Sequence, residues 1–383
     1  MPTYPTMTLL SELADARPEG GVVSLYLDTD PRKPENTSSS PAWLVELRNQ
    51  LSAVGEAIDA AGDRDTVLAW REASGRIEER VRDLPAAARG RSLALFTTVD
   101  GAWERVVSSQ LPVRAAGGSF DDRPHIAPLA DLADRGRPIG IVTVDSDEMA
   151  LLVWADGRIA DADETGVASD LDAYRSTLQS GEGGHAPRLR THAEQLGNRA
   201  DEHGRKFLAE AAATLASGLG EVDVDALVIV HGAGVLGEFV DNLPAEVADT
   251  VAATIEANVT GVDANTLVDR IADDLDAVAR SRGEAVAADA VARAASGGAG
   301  AVGAQTVLKA LAEHRVSELV VAPDLDLDEA SVGPVAETFL ADVPAELMVE
   351  RVLGQAISTG AAVTVTESSE LSAVGGIAAL LRW

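Results

Sequence analysis

The chain has 383 residues, 46% of them apolar, enough for packed cores and against wholesale disorder. It carries 62 acidic against 31 basic side chains, a formal charge of −31, and no cysteine. Disulfides, thiolate metal sites and a cysteine nucleophile are thereby excluded, and a charge of this sign repels nucleic acid and anionic membranes.

The length is that of about two to four domains. No apolar run reaches the roughly 18–20 residues of a membrane span, and the N-terminus lacks the basic and apolar regions of a signal peptide. The expectation is a cytoplasmic protein with no membrane partner. Of the basic residues only Lys33, Lys206 and Lys309 are lysines. The acids run along the whole chain. Spread in this way rather than gathered in a tail, they fit a habit of a high-salt or high-GC organism better than a surface that binds something basic.

In chain order, the alternation from Val22 to Leu27 predicts a strand. Asp28–Pro41, with Pro31, Pro34 and Pro41, predicts a long loop. Helices are predicted over Ala42–Ala61, with Trp43, Leu47, Leu51, Val54 and Ile58 on one stripe, and over Thr66–Leu84. Strands follow at Ser92–Thr97 and Trp103–Ser108, and Asp121–Ala133 reads as a short linking element. Further strands are predicted at Ile139–Val144 and Met149–Trp154, with a hairpin turn at Ala155-Asp156-Gly157. A glycine-rich loop, Ser176–Pro187, precedes a long amphipathic helix, Arg188–Ser217. Ala226–Val230 reads as a buried strand ending at His231-Gly232-Ala233-Gly234, followed by a helix from Val235 and a strand at Thr254–Val259. The last part predicts one helix over Asn265–Ala295, then a helix at Ala304–Glu313, a strand at Glu318–Ala322, a helix at Pro344–Ser358, and strands at Ala361–Thr366 and Gly375–Leu381. The alternation of strands and helices is that of an α/β protein. The expected domains are 1–133, 134–264 and 265–383.

The loop containing Gly181, Gly183, Gly184 and His185 is the most suggestive feature. Its glycines allow close backbone approach to a partner, although an ordinary connection has the same composition. The following helix is locally basic: from Arg188 to Lys206 it holds five basic and three acidic residues. At helical spacing Arg188, His192, Gln195, Arg199, His203 and Lys206 share a face, and Arg190 and Arg205 add to the charge. Such a stripe fits RNA phosphates, and it also fits a solvated face with i,i+4 pairs. His192 and His203 lie roughly 16 Å apart along the helix, too far for one metal ion, and no metal or cofactor site is expected. His231-Gly232-Ala233-Gly234 and Gly297–Gly303 are weak phosphate cradles without a full fingerprint. Asp145, Asp147 and Glu148 read as a solvated turn rather than a nuclease centre.

The succession of several segments resembles a known family. Val23-Ser24-Leu25-Tyr26-Leu27-Asp28, Pro124-His125-Ile126-Ala127-Pro128-Leu129, Leu227–Gly232 with Phe239 and Leu243-Pro244, Gly300–Leu311 with Val316–Val321, and Gly375–Arg382 are similar to bacterial relatives of archaeal and eukaryotic peptide chain release factor one and Pelota. The similar branch is the mycobacterial type related to the ribosome hibernation factor Balon. The resemblance implies an N-terminal α/β domain, an RNase H-like middle domain and a C-terminal three-layer α/β domain like L7Ae. It also implies work in the ribosomal A site, with the Gly183-Gly184-His185 loop at the peptidyl transferase centre and with delivery by an elongation factor as an option. The family's Gly-Gly-Gln lacks its glutamine here, since His185 stands in its place. The Asn-Ile-Lys-Ser stop-codon motif is absent, and Ala304-Gln305 stands where kink-turn RNA binders have Asn-Glu. The expected function is a ribosome-bound factor of hibernation or stress that contacts RNA through Arg188, Arg190, His192, Arg199, Arg205 and Lys206, without hydrolysis and without DNA. The alternatives are a rescue peptidyl-tRNA hydrolase that uses His185 and a protein-binding adaptor without RNA contact.

Overall fold

The computed structural model describes residues 5–61, 64–146, 148–160, 174–175, 192–220, 223–259, 261–333, 339–341 and 343–383; of 192–203 it describes the backbone course. The N-terminal segment begins with α1 (Met7–Asp15), capped by Thr6, whose Oγ1 accepts from the Leu9 N–H at 3.2 Å. Then come β1 (Val22–Asp28), a 3-10 turn at Pro34–Asn36, α2 (Ala42–Ala61), α3 (Arg64–Arg82) and α4 (Ala86–Arg89). They are followed by β2 (Ser92–Thr98), β3 (Glu104–Ser109), β4 (Gly117–Asp121) and α5 (Ala127–Arg135). The strands form an antiparallel sheet of order β3-β2-β1-β4.

The alternation along β1 sorts its side chains onto two faces. Val23, Leu25 and Leu27 pack with Leu47, Leu51 and Val54 of α2 and with Trp70 and Ile77 of α3. Ser24 and Tyr26 turn to the other face. There the Ser24 hydroxyl accepts from the His125 N–H at 3.0 Å, and Tyr26 donates to the His125 carbonyl at 2.6 Å. β1 is therefore buried on both faces. Gly118 lets α2 come close to β4: a Cβ there would lie 3.0 Å from both Gln50 and Leu25 side-chain carbons.

The next segment contains β5 (Ile139–Val144), β6 (Glu148–Ala155), β7 (Arg158–Ile159), β8 (Tyr174–Arg175) and α6 (His192–Leu219). It continues with β9 (Ala226–His231), α7 (Leu236–Asp241), α8 (Ala245–Ala248), β10 (Val251–Glu256) and α9 (Ala264–Arg270). Its sheet runs β10-β9-β5-β6-β7, with β8 also paired to β6. β5, β9 and β10 are parallel, β6 is antiparallel to β5, and β7 is antiparallel to β6. Antiparallel strands followed by parallel strands added through helices is the arrangement expected of an RNase H-like domain.

The last segment contains α10 (Ala272–Ala295), β11 (Gly300–Val302), α11 (Ala304–Ala312), β12 (Val316–Val321) and α12 (Glu329–Val332). α13 (Ala345–Ser358), β13 (Ala362–Val365), α14 (Ser369–Ala373) and β14 (Ile377–Leu381) complete the chain. The sheet order is β11-β14-β12-β13, with only β12 and β13 parallel. Ala287 and Ala290 of α10 and Leu371 of α14 pack with Val320 and Ala378, and α11 and α13 also pack on the sheet, which gives the expected three-layer α/β arrangement.

The three sheets fall into two compact units. One comprises Met1–Gly136 with Ala279–Trp383, and the other Arg137–Val278. Within the first unit α1 packs on α13 and α5 packs along β13. Asp121–Ala133, expected as a short linking element, includes most of the helix α5, which runs on to Arg135. The single helix expected over Asn265–Ala295 is two, divided at Ile271. α1 and β4 were not anticipated from the sequence.

Candidate functional site

The helix that carries the basic stripe owes its placement to one apolar face. Phe207, Leu208, Ala211, Ala212 and Leu215 are buried against Val142, Val144, Leu151, Val153, Leu227 and Ile229 of the sheet. At 3.6 residues per turn, Lys206 lies nearly opposite that buried face and Arg205 lies at its border. Both are exposed. The Arg205 Nε is 3.7 Å from Glu238 Oε1 on α7, and the Lys206 Nζ is 3.7 Å from Glu210 Oε1 one turn along the same helix. Exposed pairs of this length hold their partners by no more than about 1 kcal/mol, so a phosphate can displace either carboxylate.

His192 and Arg199 lie on the backbone of this helix, with side chains outside the described residues. Gly181, Gly183, Gly184, His185, Arg188 and Arg190 lie wholly outside them. The structure thus brings together Arg205 and Lys206 of the expected set.

The other glycine motifs have structural explanations. His231 ends β9 and is buried, with Nδ1 2.9 Å from the Gly232 carbonyl. A carbonyl only accepts, so Nδ1 carries the proton. The Gly232 N–H donates to the Val144 carbonyl at 3.0 Å, and a Cβ at 232 would lie 2.8 Å from Asp145 Oδ1. That glycine makes room for a carboxylate rather than for a phosphate. Gly300 packs β11 against α10, where a Cβ would lie 2.5 Å from the Ala294 nitrogen and 2.6 Å from the Ala290 carbonyl. The Asp145 N–H donates to the Glu148 carbonyl at 2.8 Å, so these two residues close a hairpin turn; Asp147 lies outside the described residues. Among the described residues no three His, Asp or Glu side chains are grouped to hold a metal ion. No helix of the described residues is long and apolar enough to cross a membrane.

A charged cluster not anticipated from the sequence sits in the first unit. Glu350 of α13 is buried, and its carboxylate accepts from the backbone N–H groups of Ile126 and, at 2.9 Å, Ala127. It caps α5 from 224 positions along the chain. At the other end of α5, buried Asp134 pairs with Arg282 at 3.0 Å and accepts from the Val365 N–H at 2.9 Å. Arg351 pairs with Asp121, at 2.9 Å, and with Asp122. The one local cue was a glutamate beside the apolar stripe of α13.

The arrangement defines an α/β protein of three sheets, with a mixed RNase H-like sheet in the unit that bears the basic helix. Residues 124–280 match the family model "Bacterial archaeo-eukaryotic release factor family 10". Among solved structures, the chain is similar to the archaeal translation termination factor aRF1, at 19% identity over 99% of this chain and 98% of that one, TM-score 0.24. It is similar to Archaeoglobus fulgidus Pelota at 19% identity over 76% and 79%, TM-score 0.34, and to S. cerevisiae Dom34 at 11% identity over 79% and 76%, TM-score 0.38. At these scores the structural likenesses carry no argument about function. Among curated proteins, none matches the chain.

Proposed function

We propose that the protein is a ribosome-associated translation factor that occupies the A site in hibernation or stress without hydrolysing peptidyl-tRNA. The observation that carries this reading is the match of residues 124–280 to a release-factor family model, a stretch that spans the whole unit Arg137–Val278. In this reading the modules 1–133, 134–264 and 265–383 are the working parts of a cytoplasmic protein of the branch related to Balon. Gly181, Gly183, Gly184 and His185 approach the peptidyl transferase centre. Arg188, Arg190, His192, Arg199, Arg205 and Lys206 meet ribosomal RNA, and an elongation factor delivers the protein. The absence of the glutamine after Gly183-Gly184 supports occupancy without hydrolysis.

Co-sedimentation with ribosomes tests the reading. Reversal of Arg188, Arg199 and Lys206 to Glu is expected to weaken binding by about a hundredfold and to flatten its dependence on salt, by about one in logarithmic slope for each phosphate no longer neutralised. A protein that stays off ribosomes at its host's ionic strength overturns the reading. His185 favours one other reading, a rescue hydrolase, because an imidazole can take a proton from water. Release of labelled peptide from stalled ribosomes, abolished by His185→Ala, would establish that alternative.

A further inference from the structure

The outer face of the α2–α3 hairpin carries a trench of about 490 Å3 that the proposed activity leaves unused. Small side chains create it. Ser52 and Gly55 on α2 face Ser74 and Gly75 on α3. A Cβ on Gly55 would lie 2.7 Å from the Trp70 indole nitrogen, so the indole slides beneath α2 and, with Leu51, forms the floor. Nothing lies within 4 Å of a Cβ on Gly75, so that side of the trench is open.

The charges at its ends differ. At one end Arg48 and Glu78 bridge the two helices at 2.7 Å, and the hydrogen bond from Arg48 holds the Glu78 carboxyl below its ordinary pKa. The trench's one guanidinium is therefore engaged. At the other end Glu56 and Asp59, one turn apart on α2, are exposed and without an ion-pair partner among the described residues. Two available carboxylates beside an aromatic floor and two hydroxyls suit a guanidinium or ammonium group. They repel a phosphate. Leu68 on α3 and Val45 on α2 are each about half exposed and border the same face by helical phase, offering apolar contacts to the residues flanking such a cation.

We propose that this trench docks a basic segment of a partner protein, seating an arginine or lysine side chain against Trp70 between Glu56 and Asp59. The argument is charge complementarity: the lining holds three carboxylates and one guanidinium. The site is separate from the basic helix, and its success or failure does not depend on ribosome binding.

The test is calorimetric titration of the full chain, at physiological salt, with a short alanine peptide carrying two arginines. Gly75→Leu adds bulk at the trench lining, where a Cβ meets nothing within 4 Å, and removes a glycine from a helix interior, so the fold is expected to be retained. Binding at one site is expected, weaker by about tenfold or more, or about 1.4 kcal/mol, in Gly75→Leu and in the pair Glu56→Lys, Asp59→Lys. It is expected to be unchanged when the same charge change is made at Asp324 and Asp326. Four outcomes overturn the proposal: no binding by the full chain, binding retained in Gly75→Leu, equal weakening by the Asp324 and Asp326 pair, or a single-stranded RNA oligonucleotide that binds and is lost in Gly75→Leu.

Discussion

Glu350 accepts two backbone N–H groups in a buried site, and both donors lose their partner when it is removed. Glu350→Ala is expected to lower the unfolding free energy by about 3 kcal/mol in urea denaturation, and Glu350→Gln, which keeps one acceptor oxygen, by about half of that. Tyr26 supplies a test at high pH. Burial, and then the charge of Glu350, raise its phenol well above the ordinary value of 10.0, against the opposing effect of the Leu129 N–H. A raised folded pKa means that the folded state holds the proton more tightly than the unfolded chain. The stability this represents is fully present below about pH 10 and is lost as the pH rises above it. Tyr26→Phe should flatten the alkaline limb of the stability profile. These contacts were not legible from residue types, because Tyr26 reads as one position in an alternating strand and its partner is a carbonyl 99 positions away.

Local cues explain which elements the sequence reveals. α2 and α3 show their apolar stripes, and the expected helices agree with the observed ones within a few residues. α5 hides because its N-cap position is Ile126, with no side-chain cap of its own; the cap comes from Glu350. β4, Gly-Gly-Ser-Phe-Asp, reads as a loop and becomes a strand because β1 offers it a hydrogen-bonding edge. α1 is a different case, since Thr6 is an ordinary N-cap signal that residue type alone makes legible. Thr6→Ala is expected to cost about 1 kcal/mol, and hydrogen exchange should speed up first at the amides of Leu9 and its neighbours. In the basic helix, periodicity puts Lys206 on a different face from Phe207 and Leu208, and in the fold Lys206 is exposed while those two are buried. The acids Glu238 and Glu210 that attend Arg205 and Lys206 come from the neighbouring α7 and from the next turn.

At the scale of the whole molecule, the two ends of the chain form one unit. β1 is buried on both faces and α5 is held at both ends by residues from beyond position 279. Residues 1–136 produced alone are therefore expected to aggregate or to unfold at low urea concentration. Co-expression with residues 279–383 should recover a soluble complex that survives gel filtration. Failure of the two pieces to associate would show that the unit is held by chain connectivity rather than by its interface.

Composition and periodicity by themselves determined the chemistry that is closed to this protein, the α/β class, the helical stripes, and a locally basic helix in an acidic chain. Each of these depends on residue type or on spacing within a few turns. The tertiary structure decided the pairing of the chain's ends, the helix at 127–135, and the roles of Gly232 and Gly300. The physical reason is common to all of them. A buried carboxylate, a sheet's second face and a missing Cβ each take their meaning from a neighbour that only folding supplies.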